Sequence, residues 1–553
     1  MKFLAPKTLI AAAVMVSVVA LKISAGGGQA PQKNNPRAEE AWAEGIPHAD
    51  LGGGFYRNPV LGPGSDNTLL KVGSDYYMMA VGGWPDQLIW HSRDLVNWAP
   101  IVRTLRKFDG GAWASDLTYY KGKYYIYTTQ MDASRGNVGH HGSLTVPVRE
   151  QGDKAWKNIV MWADHIEGPW SDPIDIGVYG LFDPGHIVDQ QGNRYLYFNK
   201  GMIVRLSPDG LSAVGELRKV YDGWDYPKSW LVSCKCLEAP KLMFHNGYYY
   251  MTSAEGGTDG PSIAHMSVVA RSKAVDGPWE NSPYNPLVHT GSSADKWWRQ
   301  GHGTFVEDDA GKWWFMYTGF ENGYELYGKQ SLLLPLEWTA DGWPRVPFGV
   351  SAADVLSKPA GENIGHGMPL SDDFSNATLG IQWLYDPSVK PEESFKVGEG
   401  ELIMKAQGNP TGRVADAADS RVQFPSHATM LGVLALNHAY EAEVEVTIPE
   451  TAEGGLLLSS GRGETGTWAS VGLRKGELFR NGDHKSSVES KDTHLFLRLR
   501  DMNYDISAFY SQDGKTWTQF ENASRVTDGR RLSLYAAGTG DVVFRNFKYH
   551  GLD

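Results

Sequence analysis

Three acidic residues stand in similar local settings in the first half of the chain. Asp66 lies in the segment 62–69, Asp183 lies in a Phe-Asp-Pro-Gly sequence, and Glu238 lies in a Leu-Glu-Ala-Pro sequence. Each acid precedes, by 7 to 9 residues, a glycine that aromatic residues follow. Each could serve singly as a turn or cap residue, but clustered carboxylates raise one another's pKa and mark reactive sites. The repeated placement therefore predicts one shared site for acid–base chemistry.

The pattern of a glycine followed by aromatic residues organises the first two thirds of the chain. Its five copies begin at Gly73, Gly122, Gly192, Gly247 and Gly311. Repeating units that are rich in short strands and turns, without long helical periodicity, indicate a β-propeller with one sheet per blade. A long β-sandwich is the alternative, and the number of repeats favours the propeller. We expect five blades over residues 51–355, with the three acids converging on the central channel.

A second domain is predicted where the repeat stops, near residues 359–361. The segment 440–446 alternates apolar and polar residues, as a half-buried strand does. Asp513-Gly514 is typical of a β-hairpin turn. The chain is therefore predicted to be all-β, with a five-bladed propeller followed by a concanavalin-like β-sandwich over residues 371–553.

Composition and the N-terminal residues bear on partners and location. The net charge is −12, and the chain has no run of five basic residues, which argues against nucleic acid or an acidic membrane surface as a partner. Lys2 and Lys7 precede an apolar run over residues 9–21, which small residues follow, as in a secretory signal peptide. The sequence predicts a signal peptide over residues 1–25, a linker over 26–50, and a secreted or periplasmic protein without a membrane span once processed. An uncleaved N-terminal anchor is the alternative, and the oligomeric state stays open.

The chain has two cysteines, Cys234 and Cys236, which lie just before Glu238. A bridge between them would close a very tight loop, and disulfide geometry is specific. We therefore expect two unlinked, half-buried thiols. An oxidised pair stays open for an exported protein.

The acids and their settings resemble glycoside hydrolase family 43, which includes β-xylosidases and α-L-arabinofuranosidases built on five-bladed β-propellers. The resemblance covers about residues 55–350. It implies that Asp66 is the general base, that Asp183 orients the acid and tunes its pKa, and that Glu238 is the general acid. The second domain is similar to the β-sandwich that many of these enzymes append.

The resemblance also implies residues that bind substrate. His302, in Gly-His-Gly, is similar to the central-channel histidine of the family, which is often linked to a bound calcium or water. His302 is therefore a candidate ligand for substrate and for a structural calcium, and no cofactor is expected to be required. Trp113 is similar to a tryptophan near the sugar pocket. Trp84 and Phe182 are candidate pocket walls, although core packing explains each almost as well.

The sequence departs from the family pattern at two places. Ser65 and Asn67 flank the predicted base, where the family commonly has proline on both sides. Lys329 follows Gly328 where a Gly-Arg pair is usual, and a lysine cannot reproduce the planar fork of an arginine. Lys329 is therefore a candidate determinant of specificity.

The resemblance implies an inverting hydrolase of plant-type polysaccharides or oligosaccharides that releases arabinofuranose or xylose. One carboxyl would protonate the glycosidic oxygen and the other would activate water on the opposite face of the sugar, about 6.5–9.5 Å away. Asp183 is expected to raise the pKa of Glu238 by like charge. A non-catalytic carbohydrate-binding propeller and a galactose-directed hydrolase of the same family are the alternatives. A sugar transferase or phosphorylase would need a basic phosphate pocket, which the sequence does not show.

Overall fold

The computed structural model describes residues 48–62, 64–81, 87–104, 111–131, 156–385, 389–413, 422–459, 468–474, 477–480, 484–489, 494–521, 524–526 and 531–552. The predicted signal peptide lies outside these residues. Within them, one helical turn (Pro391–Ser394) and two 3-10 turns (Asn199–Gly201 and Glu325–Tyr327) accompany the strands. No helix in the described ranges is long and apolar enough to span a membrane.

Five antiparallel sheets follow two short strands, β1 (Asp50–Gly52) and β2 (Phe55–Arg57). Blade I contains β3 (Ser65–Val72), β4 (Asp75–Val81), β5 (Gln87–Ser92) and β6 (Ala99–Thr104). Blade II contains β7 (Gly111–Tyr120), β8 (Lys123–Met131), β9 (Trp156–Ala163) and β10 (Ile174–Tyr179). Blade III contains β11 (Gly185–Val188), β12 (Arg194–Phe198), β13 (Met202–Arg205) and β14 (Arg218–Lys219).

The last two blades have the same plan. Blade IV contains β15 (Glu238–His245), β16 (Tyr248–Glu255), β17 (Met266–Ser272), β18 (Glu280–Asn281) and β19 (Val288–His289). Blade V contains β20 (Trp297–Glu307), β21 (Trp313–Glu321), β22 (Lys329–Trp338) and β23 (Pro344–Arg345). In each blade the strands pair mostly in chain order, and β19 pairs beside β18 along β17. The prediction of a five-bladed propeller is confirmed.

The glycines of the repeat lie in the hairpins between the first and second strands of the blades. All five have a positive φ, between 64° and 84°: Gly73, Gly122, Gly192, Gly247 and Gly311. A glycine adopts this left-handed region at no steric cost. The repeat that is visible in the sequence is therefore the repeated hairpin turn, and the aromatic residues after it begin the second strand of each blade.

Residues ahead of blade I close the ring by pairing with blade V. The strand β24 (Val355–Ser357), which follows blade V, pairs with β2, which precedes blade I. The Asn58 side chain accepts a hydrogen bond from the Leu333 N–H at 2.8 Å and donates one to its carbonyl at 3.0 Å. The Gly64 N–H donates to the Lys329 carbonyl at 2.9 Å. This pairing places Asp66 next to Lys329.

A β-sandwich of two large sheets follows the propeller, as predicted. The eight-stranded sheet contains β25 (Phe395–Gly398), β26 (Glu401–Ala406), β30 (Ala439–Thr447), β35 (His494–Met502), β36 (Asp505–Ser511), β37 (Thr518–Gln519), β38 (Ser524–Arg525) and β40 (Gly540–Gly551). The six-stranded sheet contains β29 (Thr429–Leu434), β31 (Ala452–Ser459), β32 (Trp468–Arg474), β33 (Glu477–Arg480), β34 (His484–Glu489) and β39 (Arg531–Gly538). A separate pair contains β27 (Gly412–Arg413) and β28 (Val422–Gln423). Ala442, Val444 and Val446 of β30 are buried and the glutamates between them are half-buried, so the predicted alternation is present.

The sandwich contacts the loop that connects β21 to β22. The Tyr324 ring stacks on the His438 ring at a centroid distance of 3.6 Å. The Tyr324 hydroxyl donates to Asn503 Oδ1 at 2.8 Å, and His438 Nε2 lies 3.2 Å from the Glu321 carboxylate. The sandwich therefore holds the chain segment that leads directly into Lys329.

A buried ion pair joins four blades at the axis. Lys241 Nζ on β15 lies 2.6 Å from Asp116 Oδ1 on β7 and 3.3 Å from the Pro184 carbonyl. The other Asp116 oxygen accepts the His186 N–H at 2.8 Å, and the Thr68 hydroxyl donates to Asp116 at 3.3 Å. Removing one partner of such a pair leaves an uncompensated buried charge.

We expect Asp116→Ala to lower the free energy of unfolding by about 3–5 kcal/mol, measured by urea denaturation. The matched control is Asp164→Ala. Asp164 forms an exposed ion pair with Lys123, and its loss should cost no more than about 1 kcal/mol. Equal effects of the two substitutions would show that the axial pair does not hold the blades together.

Candidate active site

Irregular backbone brings the predicted site residues to the axis. The strand register shifts at Asp66 in β3, at Ala239 in β15 and around His302 in β20. Asp66, Asp183, Ala239 and His302 all have a positive φ, between 50° and 57°. Such residues cost on the order of 1–3 kcal/mol each and cluster at functional sites, and bulges re-aim side chains. The three acids and His302 therefore share one site at or near the innermost strands of their blades, and Lys329 joins it from the start of β22, the third strand of blade V.

Asp66 is in contact with two nitrogen donors from blade V. Lys329 Nζ lies 2.5 Å from Asp66 Oδ1, and His302 Nδ1 lies 3.2 Å from the same oxygen. All three side chains are buried. The ammonium group favours the ionised form of the Asp66 carboxylate.

His302 lies between Asp66 and Glu238. Its Nε2 atom is 3.2 Å from Glu238 Oε1, on the opposite side of the ring from Asp66. Burial lowers the pKa of His302, but the Asp66 and Glu238 carboxylates, with Asp183 nearby, outweigh burial and raise it above the usual value. One imidazolium therefore sets the separation between the two carboxyls.

His265 is a further buried member of the site, which no sequence motif indicated. Its Nε2 atom lies 3.5 Å from Glu238 Oε1, and its Nδ1 atom lies 3.1 Å from the Arg299 carbonyl. The ring packs on Gly301, where an added Cβ would lie 2.1 Å from Cε1 of His265. The first glycine of the Gly-His-Gly sequence is thus needed for this close approach. Burial lowers the pKa of His265.

The expectation that Asp183 raises the pKa of Glu238 is wrong for the free protein. Burial raises the pKa of Asp183 to about 7, and the Glu238 and Asp66 carboxylates add to this effect. Burial also raises the pKa of Glu238, but hydrogen bonds from His265 and His302 outweigh it and lower the pKa to about 2. The pKa of about 2 applies when the His265 and His302 rings both donate hydrogen bonds to the Glu238 carboxylate. In that state the proton of the site is on Asp183.

The model of glycosyl hydrolases family 43 matches residues 56–344. The chain belongs to this family. The non-reducing end α-L-arabinofuranosidase BoGH43B of Bacteroides ovatus is 30% identical over 353 residues, 60% of this chain and 61% of that enzyme. A β-xylosidase of Bacillus subtilis is 28% identical over 372 residues, 59% of this chain and 63% of that enzyme. The chain thus covers about three fifths of the length of these curated relatives.

A solved structure shows that both domains have the fold of a known family 43 protein. The crystal structure of BlXynB from Bacillus licheniformis superimposes with a TM-score of 0.72 at 24% identity. The superposition covers 90% of this chain and 100% of the BlXynB chain. The likeness therefore extends over the propeller and the sandwich together.

Aromatic residues stand beside Asp183 in this family 43 protein. The Trp113 ring packs edge-on against Phe182 at a centroid distance of 5.7 Å and against Trp156 at 4.7 Å. Trp113 and Phe182 are half-buried, so each packs in the core and keeps part of its surface exposed, and their role as pocket walls stays a prediction. Trp84, the third predicted wall residue, lies outside the described residues.

The expectation of unlinked cysteines is wrong. Cys234 and Cys236 form a disulfide with a Cα–Cα distance of 5.2 Å. Cys236 has a φ of 41°, and this left-handed turn brings the two side chains together. The bridge lies in the loop that leads directly into Glu238.

The donor atoms around His302 do not fit calcium. Among the described residues, Glu238, His265 and His302 are the group whose donor atoms lie within 4.8 Å of one another. Calcium takes six to eight oxygen ligands, whereas this group offers two imidazoles and one carboxylate. The Asp66 carboxylate is already paired with Lys329.

The pKa of Asp183 predicts a pH-dependent stability. Because this carboxyl keeps its proton in the folded protein up to about pH 7, its contribution to the free energy of unfolding falls as the pH rises from about 4 to about 7. Asp183→Asn removes the titrating group, so its stability relative to the wild type should grow over that range by about 2–4 kcal/mol. Urea unfolding at several pH values measures the difference. Parallel pH profiles for the two proteins would contradict the assignment.

Proposed function

We propose that the protein is an exported, inverting glycoside hydrolase that releases arabinofuranose or xylose from plant-type polysaccharides or oligosaccharides. The observation that carries the proposal is the placement of Asp66 and Glu238 on opposite sides of the His302 ring. The names of the relatives, an α-L-arabinofuranosidase and a β-xylosidase, support these two sugars. The disulfide supports export, because such bonds persist in oxidising compartments.

The spacing of the carboxyls supports inversion. In an inverting enzyme the two carboxyls are separated widely enough to admit a water molecule, whereas a retaining enzyme needs them closer. A complete imidazole ring separates Asp66 from Glu238, with Nδ1 3.2 Å from the Asp66 carboxylate and Nε2 3.2 Å from the Glu238 carboxylate. In this scheme Asp66, ionised beside Lys329, takes a proton from water, and Glu238 gives a proton to the glycosidic oxygen.

The tautomer of His265 explains how Glu238 can hold that proton. The Arg299 carbonyl can only accept, so the Nδ1 atom of His265 carries the hydrogen of that bond. A neutral ring then has a lone pair on Nε2, and among the described residues no other group donates a hydrogen bond to this buried atom. It faces Glu238 Oε1. The neutral ring therefore accepts a hydrogen bond from protonated Glu238 and stabilises the acid form.

The first test assays protein recovered from the periplasm or medium on aryl arabinofuranoside, xyloside and galactoside substrates. We expect hydrolysis of the arabinofuranoside or the xyloside, and a first product of inverted configuration by proton NMR. Hydrolysis of the galactoside alone would favour the galactose-directed alternative, and no hydrolysis would favour a non-catalytic binding propeller. A product of retained configuration would contradict the mechanism.

Substrates whose leaving groups differ in their need for a proton distinguish the role of Asp66 from that of Glu238. Asp66→Ala and Glu238→Ala should each lower kcat by at least about 10²-fold while the fold is retained. A leaving group such as dinitrophenolate departs without a proton, so it should restore much of the rate to Glu238→Ala and none to Asp66→Ala. Full activity of either variant would contradict the scheme.

His265→Leu tests the proposed proton acceptor. Because the neutral ring stabilises protonated Glu238, its loss should lower the pKa of the acid and move the alkaline limb of kcat/KM to lower pH by about one pH unit. His302, Asp183, Asp66 and Lys329 also face Glu238 and stay in place. A shift to higher pH would instead mean that His265 donates to the carboxylate. Unchanged thermal unfolding serves as the control for folding.

A further inference from the structure

The loop from β14 to β15, residues 220–237, carries two half-exposed tryptophans, Trp224 and Trp230. The backbone N–H of Trp224 donates to the buried Glu255 carboxylate at 2.7 Å. The two rings meet edge to face at a centroid distance of 6.0 Å. The loop is therefore fixed to the end of blade IV, and its tryptophans have defined positions before any ligand binds.

The loop is also fixed at its other end. The Ser233 N–H donates to the Gly256 carbonyl, and the Gly256 N–H donates to the Lys235 carbonyl, both at 2.9 Å. The Cys234–Cys236 disulfide braces the same segment. These contacts extend the β15–β16 pairing beyond Glu238, at the end of the strands where Glu238 lies.

The strand register of blade IV locates Trp230 relative to the acid. Glu238 on β15 and Val288 on β19 lie in one row across four strands. His289 lies one residue beyond that row on the site side, and Trp230 stacks on it at a centroid distance of 4.3 Å and an angle of 11°. With strands about 4.8 Å apart, the strand of His289, on which Trp230 stacks, is roughly 14 Å from the strand of Glu238. That distance corresponds to a few sugar units.

The proposed chemistry determines which part of a substrate passes over blade IV. A general acid must reach the oxygen of the bond that breaks, so the leaving group lies against Glu238. The sugar that is released lies toward Asp66, Asp183 and the Trp113 wall. A long leaving group would therefore extend from Glu238 across the end of blade IV.

We propose that Trp224 and Trp230 form a binding site for sugar residues of the leaving group, beyond the residue that contacts Glu238. This inference rests on the proposed hydrolase function and names its substrate class, an oligosaccharide or polysaccharide chain. Flat indole rings pack well against the apolar C–H face of a sugar, and their N–H groups stay available to hydroxyls. Because the rings are held in place beforehand, little conformational entropy is lost on binding.

The test compares Trp230→Ala with the wild type on two substrates that have the same terminal sugar. One is an aryl glycoside, and the other is an oligosaccharide with at least three further residues. We expect the ratio of kcat/KM for the oligosaccharide to that for the aryl glycoside to fall about tenfold, through KM. The matched control is Phe348→Ala, because Phe348 is fully exposed after β23 at the outer edge of blade V. It should leave the ratio unchanged.

Two outcomes would overturn the inference. An unchanged ratio in Trp230→Ala would show that the ring does not contact the leaving group, and an equal fall in Phe348→Ala would show that the effect is not local. The failure of the proposed function is distinguishable, because the wild type would then cleave neither substrate. In that case calorimetric titration of the same oligosaccharide into wild type and Trp230→Ala still decides whether the tryptophans bind sugar.

Discussion

Burial of several carboxyl groups at one axis is the constraint on which the structure depends. Charged groups buried in a protein must be paired, and here the partner comes from another blade. Lys329 of blade V pairs with Asp66 of blade I, and Lys241 of blade IV pairs with Asp116 of blade II. Asp183 forms no ion pair with a described cation, and burial raises its pKa to about 7. The charge balance thus joins the blades and also determines which acid holds a proton.

The same constraint gives the second domain a structural role. Lys329 must stay within contact of Asp66, and it begins β22 directly after the loop that the sandwich holds. Stacking of Tyr324 on His438 and the contact of His438 with the Glu321 carboxylate fix that loop from outside the propeller. The sandwich therefore supports the position of the cation beside the proposed base.

Local signals explain what could be predicted from the sequence. The hairpin glycines and the strand alternation of the sandwich depend on a few neighbouring residues, so the repeat and the fold class were visible. The contact of His265 with Glu238 and the pair of Lys241 with Asp116 depend on how separate blades face one another, which no short motif encodes. The disulfide depends on a left-handed turn at Cys236. The location of the proton in the free protein was mispredicted because the contacts of His265 and His302 with Glu238 depend on the folded backbone and are not visible in the sequence.

The position of His302 bears on how the charge moves during the proposed reaction. As Asp66 takes a proton from water and Glu238 gives one to the glycosidic oxygen, one negative charge in effect passes from the first carboxyl to the second. His302 lies 3.2 Å from an oxygen of each, so the same imidazolium stabilises the charge before and after it moves. Little reorganisation is needed, and preorganised donors in a site without bulk water are the largest source of such stabilisation. The ring that separates the base from the acid thereby favours the step that links them.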